Sequence, residues 1–383
     1  MPEAVIVAAG RSAIGRAHKG SLTTYRPDDL LGYVVKKVLE KVPELPHDEI
    51  EDLITGCGFP HGETGMNVGR LAVFLSGLPV TVPGTTVNRF CASSLQAIRM
   101  SYHAIKSGEG RAFVSAGVES VSRVKTMPEM EDINTRLFGP DAIADAYITM
   151  GMTAENVADK YGVTREEMDE YAYGSQMRAT KARDTGIFDR EIITVATPEG
   201  NEVSQDDGIR PSTTVEGLAE LKPVFKDDGR VTAGNSCPLN DGAAAVVILE
   251  EEYAKSLGLK PLARILGSAV SGLDPAIMGV GPIEACQRVF KQTGMNVGDI
   301  DVVELNEAFA AQVLPVSREV GWDMDKLNPH GGAIALGHPF GMTGARIMTT
   351  LLNDLQTLDK TYGLETMCVG GGQGMAMIVE RLN

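Results

Sequence analysis

Two short stretches recur in this 383-residue chain at nearly one spacing. Asp48-Glu49-Ile50 matches Gly298-Asp299-Ile300, an offset of 300 − 50 = 250, and Val114-Ser115-Ala116-Gly117 matches Met367-Cys368-Val369-Gly370, an offset of 370 − 117 = 253. Few letters agree, so the order of predicted elements carries the comparison. In the first half, strands at Ala4–Ala8, Ile50–Thr55, Thr85–Asn88 and Arg111–Ala116 alternate with helices. These helices run from Pro27, from about Asn67 to Ser76, and from Cys91 to Gly108, the last with Ser93 and Ser94 placed to cap it. In the second half, strands at Leu262–Ala269 and Asp301–Leu305 alternate with helices at Pro282–Gln292, Asn306–Val320 and Thr343–Leu358. A strand and turn are expected around Asn328–Ala335, and Thr366–Val369 and Met375–Val379 finish the sheet. Strand alternating with helix predicts two related α/β units, each with a largely parallel sheet. A chain of this length exceeds a single ordinary core.

Between the units, from Ser120 to about Ser236, the alternation stops. One long helix opens there at the capping box Thr164-Arg165-Glu166-Glu167 and ends before Gly186. An irregular segment rich in Asp, Gly, Thr and Pro follows, which reads as an insertion covering a site, and Ala243–Leu249 resumes the sheet.

Net charge of −16 argues against a nucleic-acid footprint, and no apolar run reaches the length of a membrane span. The first residues lack the basic head of a signal peptide. Five scattered cysteines, Cys57, Cys91, Cys237, Cys286 and Cys368, lack CxxC spacing. This pattern suits a reducing cytoplasm and argues against a zinc site.

Three stretches set one reactive side chain among small residues. Cys91 lies where a strand gives way to a helix, and a helix N-terminus favours a thiolate. His338 lies between Gly337 and Pro339 and just before a helix, placed to take a proton from Cys91; His330 is its rival. Cys368 ends a strand ahead of Gly370, whose N–H suits an oxyanion. Ligands of open α/β sheets sit beyond the carboxyl ends of strands, so all three face a cleft between the units. Asn306 can cap a helix or order a water near His338. Two thiols and an imidazole point to acyl transfer.

Asn88-Arg89-Phe90-Cys91-Ala92-Ser93-Ser94, Asn306-Glu307-Ala308-Phe309, Gly337-His338-Pro339-Phe340-Gly341-Met342-Thr343-Gly344 and Cys368-Val369-Gly370-Gly371-Gly372-Gln373-Gly374 together resemble the signature blocks of the thiolases. The resemblance spans the chain from Val5 onward. It implies a five-layered αβαβα fold from two duplicated βαβαβαββ domains. The domains fall at residues 1–119 with 237–260, an inserted loop domain at 120–236 covering the coenzyme A (CoA) site, and 261–383. It implies that Cys91 takes an acyl group from a CoA thioester with His338 as base. Cys368 then removes an α-proton in condensation, or handles the CoA thiol proton in thiolysis. His338 with an Asn306-held water, and the N–H groups of Cys91 and Gly370, would form two oxyanion holes. Arg210 would meet the nucleotide end of CoA, and Phe225 and Ala233 the pantetheine.

Three positions depart from the family pattern. Ser94 replaces a glycine, and Cys237 replaces a serine that bonds pantetheine. Thr149 replaces a histidine of short-chain biosynthetic members, which leaves room for longer acyl chains beside Met150, Met278 and Phe309. The resemblance also implies CoA and acyl-CoA as substrates, no permanently bound cofactor, and a homodimer or homotetramer. A ketoacyl-synthase-type condensing enzyme would generally lack the Cys368 block. A non-catalytic acyl-CoA-binding subunit would not need all three reactive groups.

Overall fold

The computed structural model describes residues 2–126, 130–139 and 144–383, the side chain of Met130 aside. In the first half the chain forms β1 (Ala4–Ser12), α1 (Pro27–Leu39), β2 (Asp52–Gly56), α2 (Val68–Leu75), β3 (Gly84–Val87), α3 (Ser93–Ser107) and β4 (Ala112–Ser120). After α4 (Met150–Tyr161) and α5 (Arg165–Asp184), β5 (Asn240–Glu250) completes that half. The second half runs β6 (Ala263–Gly272), α6 (Gly281–Thr293), β7 (Val302–Leu305), α7 (Ala310–Val320), α8 (Thr343–Thr357), β8 (Tyr362–Val369) and β9 (Gln373–Arg381).

The strands line up as β7-β8-β9-β6-β1-β5-β4-β2-β3. In each half the first strand neighbours the last, which neighbours the penultimate, which neighbours the second. The matched stretches sit at equivalent places, since His47–Glu49 and Val297–Asp299 are both 3₁₀ turns leading into a strand. The halves join through two residue pairs of β1 and β6, Val5 with Arg264 and Ile6 with Ala263.

Period-two alternation sorts side chains into layers. Along β5, Ala244, Val246 and Ile248 pack into a central core with Leu95 and Ile98 of α3 and Ile347 and Leu351 of α8. Ala243, Ala245, Val247 and Leu249 face an outer core with Leu30, Leu31, Val34 and Val38 of α1. In the second half, Met375 and Met377 of β9 join the central core, while Ala376 and Ile378 face α6 and α7. The layers are therefore α, β, α, β, α, with α3 and α8 in the middle. Helices α4 and α5 pack onto the outer core of the second half through Val157, Met168 and Tyr171.

The sheet is mixed rather than largely parallel: β2–β3, β2–β4 and β7–β8 pair parallel, whereas β4–β5, β5–β1, β1–β6, β6–β9 and β9–β8 pair antiparallel, because each half closes on an antiparallel pair of long strands. Three local expectations are also corrected. Helix α3 is capped by neither serine: Ser93 Oγ accepts the Arg89 N–H at 2.9 Å, and Ser94 Oγ accepts the Ala345 N–H of α8 at 2.8 Å. Helix α7 starts at Ala310, not Asn306, because the Asn306 N–H still bonds Thr366 O at 3.0 Å beside the sheet. The strand expected around residues 328–335 is reduced to a single bridge between Val303 and Leu327. There the Asn328 side chain replaces the ladder, accepting the Leu305 N–H and donating to Leu305 O, both at 2.9 Å. Asn328 takes φ 44°, left-handed backbone that asparagine tolerates and a strand does not. The Thr164–Glu167 capping box forms as expected.

Candidate active site

Cys91 sits in one 3₁₀ turn, Phe90–Ala92, between β3 and α3. Phe90 holds φ 42°, and the Asn88 side chain sustains that turn by accepting the Phe90 N–H at 2.8 Å. Arg89 donates to Gln373 Oε1 at 2.7 Å, fastening the nucleophile turn of the first half to the second. Cys91 is 7% exposed. Burial pushes its thiol up to about 11, opposed by the N–H groups of Gly370 and of Cys91 itself, both directed at the sulfur.

His338 is 2% exposed. Its N–H donates to Asn240 Oδ1 at 2.9 Å, and Gly337 before it takes φ 118°, where a Cβ would stand 2.7 Å from that same asparagine. The imidazole Nδ1 lies 2.6 Å from Thr343 Oγ and Nε2 lies 3.3 Å from Asn306 Nδ2. Burial, then the Arg346 charge, lowers His338 to about 3, so the ring is neutral at physiological pH. Asn306 Oδ1 is buried without a protein partner. The rival His330 is bonded instead to the buried Asp354, 2.5 Å away.

Cys368, fully buried at the end of β8, donates to Gln312 Oε1 of α7 at 3.2 Å. Burial raises its thiol well above the usual range, and the neighbouring Cys91 and Cys237 sulfurs raise it further. Cys237 is held beside the Asn306 block by its N–H to Ala308 O at 3.0 Å, and its own thiol is raised by burial and by Cys91. The three sulfurs therefore share one electrostatic neighbourhood.

A cavity of about 820 Å³ opens over Cys91 and Gly370, walled by Phe59, Phe340, Thr149 and Met150 among others. Phe340 ties it to the histidine, meeting the His338 ring edge-on at 5.2 Å. A second strip lies to one side. Phe225 packs against Gly151, where a Cβ would come within 2.2 Å of the ring, and meets Phe309 edge-on at 6.3 Å. Phe225 is an exposed apolar group there, and Ala233 is exposed just past the bridge between Pro223 and Thr232.

Two family models cover nearly all of this architecture: thiolase, N-terminal domain, over residues 4–252, and thiolase, C-terminal domain, over residues 259–381. The chain belongs to the thiolase family. It is 44% identical to a 3-ketoacyl-CoA thiolase of Bacillus subtilis (strain 168), covering 99% of this chain and 100% of that protein. It is 43% identical to a beta-ketoadipyl-CoA thiolase of Acinetobacter baylyi, covering 100% of both. The crystal structure of the Bacillus anthracis acetyl-CoA acetyltransferase superimposes with a TM-score of 0.91 at 39% identity, over 100% of this chain and 99% of that one. At that identity and coverage the five-layered thiolase fold is shown.

Within this thiolase, the cavity wall includes Cys91, Gly370 and Met150 but not Met278, which is 1% exposed in the outer core of the second half. Phe309 is outside the cavity wall; it meets Phe225 and bridges to Ser236, next to Cys237. Arg210 stands apart from the cavity, exposed and close enough to Arg16 for the two charges to repel. Sequence reasoning missed four groups: Asn240, Thr343, Gln312 and Glu119. Thr343 lies inside a motif block, and Asn240 opens β5. Glu119 ends a strand at the ligand-facing edge, a signal that could have found it. Gln312 is an ordinary helical residue until Cys368 is packed against it.

Proposed function

We propose that the chain is an acyltransferase that moves acyl groups between CoA thioesters by a ping-pong route through Cys91. The observation that carries this reading is the neutral, oriented His338 sharing the Phe340 wall with Cys91, whose sulfur lies under the Gly370 N–H. In the first half-reaction Cys91 attacks a thioester carbonyl and its proton passes to His338 Nε2. The C–S bond to CoA breaks, and the departing thiolate recovers the proton. Developing charge on the acyl oxygen falls to the Cys91 and Gly370 N–H groups, donors of a kind worth about 3 kcal/mol of barrier each. In the second half-reaction the Cys368 proton passes to His338 Nε2, and the Cys368 thiolate takes an α-proton from acetyl-CoA for Claisen condensation, or the thiol proton of free CoA for thiolysis. The resulting nucleophile takes the acyl group, its C–S bond to Cys91 breaks, and the Cys91 sulfur recovers the proton from His338. A water on the unpartnered Asn306 Oδ1 and the now protonated His338 Nε2 donate together to the second oxyanion.

Phe225, Ala233, Cys237 and Phe309 make the pantetheine path, and Arg210 meets the nucleotide end. Thr149 and Met150 in the cavity wall support acyl chains longer than acetyl. The repeated strand order supports the division into residues 1–119 with 237–260, 120–236 and 261–383. A homo-oligomer is supported by the sheet ending at β3, beside Met66 and Val80, which are 89% and 71% exposed. Free thiols suit a reducing, cytoplasmic setting. The proposed route uses no bound cofactor.

The experiment is acyl labelling. Wild-type protein mixed with radiolabelled acyl-CoA should show a stoichiometric burst of label on the Cys91 peptide, absent in Cys91→Ala, and thiolysis of ketoacyl-CoAs of increasing length. Label retained in Cys91→Ala would sink the assignment.

A further inference from the structure

The buried Glu119, at the end of β4, takes no part in the chemistry above. Its Oε2 accepts the Gly58 N–H at 2.8 Å and the Gly341 N–H at 2.9 Å, and its Oε1 accepts the Phe59 N–H at 3.3 Å. Gly58 and Phe59 follow β2 in the first half, whereas Gly341 belongs to the His338 loop of the second. One carboxylate thus joins loops from both halves. They approach closely because side chains are missing. A Cβ on Gly58 would stand 2.7 Å from Glu119 Oε2, and one on Gly341 would stand 2.4 Å from Val118 O and 2.7 Å from Cys57 Cα. Each loop carries an aromatic ring into the cavity wall, where Phe59 and Phe340 meet edge-on at 5.7 Å, and Phe340 also packs against His338.

We infer that Glu119 is a positioning residue of the acyl-transfer site, clamping the Phe59 and His338 loops so that the aromatic wall and the imidazole keep their places over Cys91. The inference rests on the proposed acyl transfer. A carboxylate suits the task because it accepts several N–H donors and offers none of its own. Its bonds are also charge-assisted. The titratable groups facing it are Cys57, 3.8 Å from Oε1, and Cys91, whose thiol its charge pushes up. Burial holds Glu119 itself up at about 7 against the three N–H donors.

The test uses the full chain carrying Glu119→Ala, Glu119→Gln or Glu119→Asp. Glutamine keeps one oxygen for Gly58 and Gly341 and gives up only the longest N–H bond, the 3.3 Å one from Phe59, which its amide NH2 cannot accept, while aspartate is too short to span both loops. Glu119→Ala and Glu119→Asp should lower kcat/KM on the order of 10- to 100-fold, the scale of a small misplacement of reacting groups. The loss should be larger for a long-chain ketoacyl-CoA than for acetoacetyl-CoA. Glu119→Gln should recover most of it, all with cooperative melting near the wild-type Tm. Wild-type rates in folded Glu119→Ala overturn the inference. So does a Glu119→Gln as slow as Glu119→Ala, which would mark a proton-transfer role. If the alanine variant does not fold, Glu119→Asp decides alone, with wild-type kcat/KM overturning it. A wild-type protein without thiolysis defeats the acyl-transfer reading instead, a separable result.

Discussion

The Thr343 hydroxyl sets the tautomer of His338. Thr343 Oγ donates to Pro339 O at 2.7 Å, so at its 2.6 Å contact with His338 Nδ1 it can only accept. The neutral ring therefore carries its proton on Nδ1 and leaves Nε2 open to receive one.

Replacing Thr343 with valine keeps the volume and deletes the acceptor. A neutral hydrogen bond contributes about 1 kcal/mol, so kcat should fall roughly five- to tenfold with KM nearly unchanged. Steady-state thiolysis kinetics check this, and an unaltered kcat would show that the tautomer is held by other means.

The reactivity of Cys91 in the free enzyme should climb with pH. Because burial holds the thiol at about 11, the thiolate fraction grows with each unit of pH throughout the neutral range, and it saturates only above the assay range. His338, lowered to about 3, stays neutral and contributes no inflection there. Iodoacetamide labelling of the Cys91 peptide, followed by mass spectrometry, should rise from pH 6 to 9 without a plateau, roughly tenfold per unit at most. A plateau by pH 8 would contradict the buried-thiol account.

Gln312→Met should separate the two half-reactions. The Cys368 thiol loses its acceptor at 3.2 Å while Cys91 keeps its surroundings. Burst labelling of Cys91 should match wild type, and transfer of the acyl group onward should slow by roughly tenfold. Equal loss in both steps would place Gln312 in the wrong half of the cycle.

Gly344→Ala sets helix propensity against packing. Alanine gains about 1 kcal/mol over glycine inside a helix. At this position its Cβ would lie 2.3 Å from Leu95 N, where α8 crosses α3, and Leu95 is backbone-fixed in the central core. Overpacking costs about 1–3 kcal/mol, so the variant should be less stable. Denaturant unfolding with a lower midpoint confirms this; a higher midpoint would mean the central helices can part.

Arg210→Ala should raise KM for CoA several-fold and leave kcat nearly intact, with the difference shrinking as salt is added. Its exposed guanidinium beside Arg16 makes a cationic patch whose attraction for phosphate is screened by ions. A wild-type KM would remove Arg210 from the CoA path.

Much of the layer plan was legible along the chain. The apolar stripe Leu30, Leu31, Val34, Val35 and Val38 of α1 reports its buried face, because neighbours within a turn decide it, and the unbroken apolar run of β5 reports a strand buried on both faces. The Thr164 capping box is read the same way, being closed between residues three apart. The motif blocks named Cys91, His338 and Cys368, each marked by small residues around one reactive group.

Residues whose partners come from far along the chain were misread or missed. Ser94 looked like a cap, but its hydroxyl serves Ala345, 251 positions away, and of the two readings open for Asn306, a helix cap or a partner near His338, only the packed halves favour the second. Glu119 carries no local sign that it joins Gly58 to Gly341. Hydrogen-bond choice among polar side chains depends on which donors and acceptors burial leaves without water. That is known only once the two halves have closed on each other. Sequence by itself therefore determined the repeated α/β plan and singled out the candidate reactive groups. The tertiary structure decided which neighbours orient those groups, which thiols are buried together, and where the cavity opens.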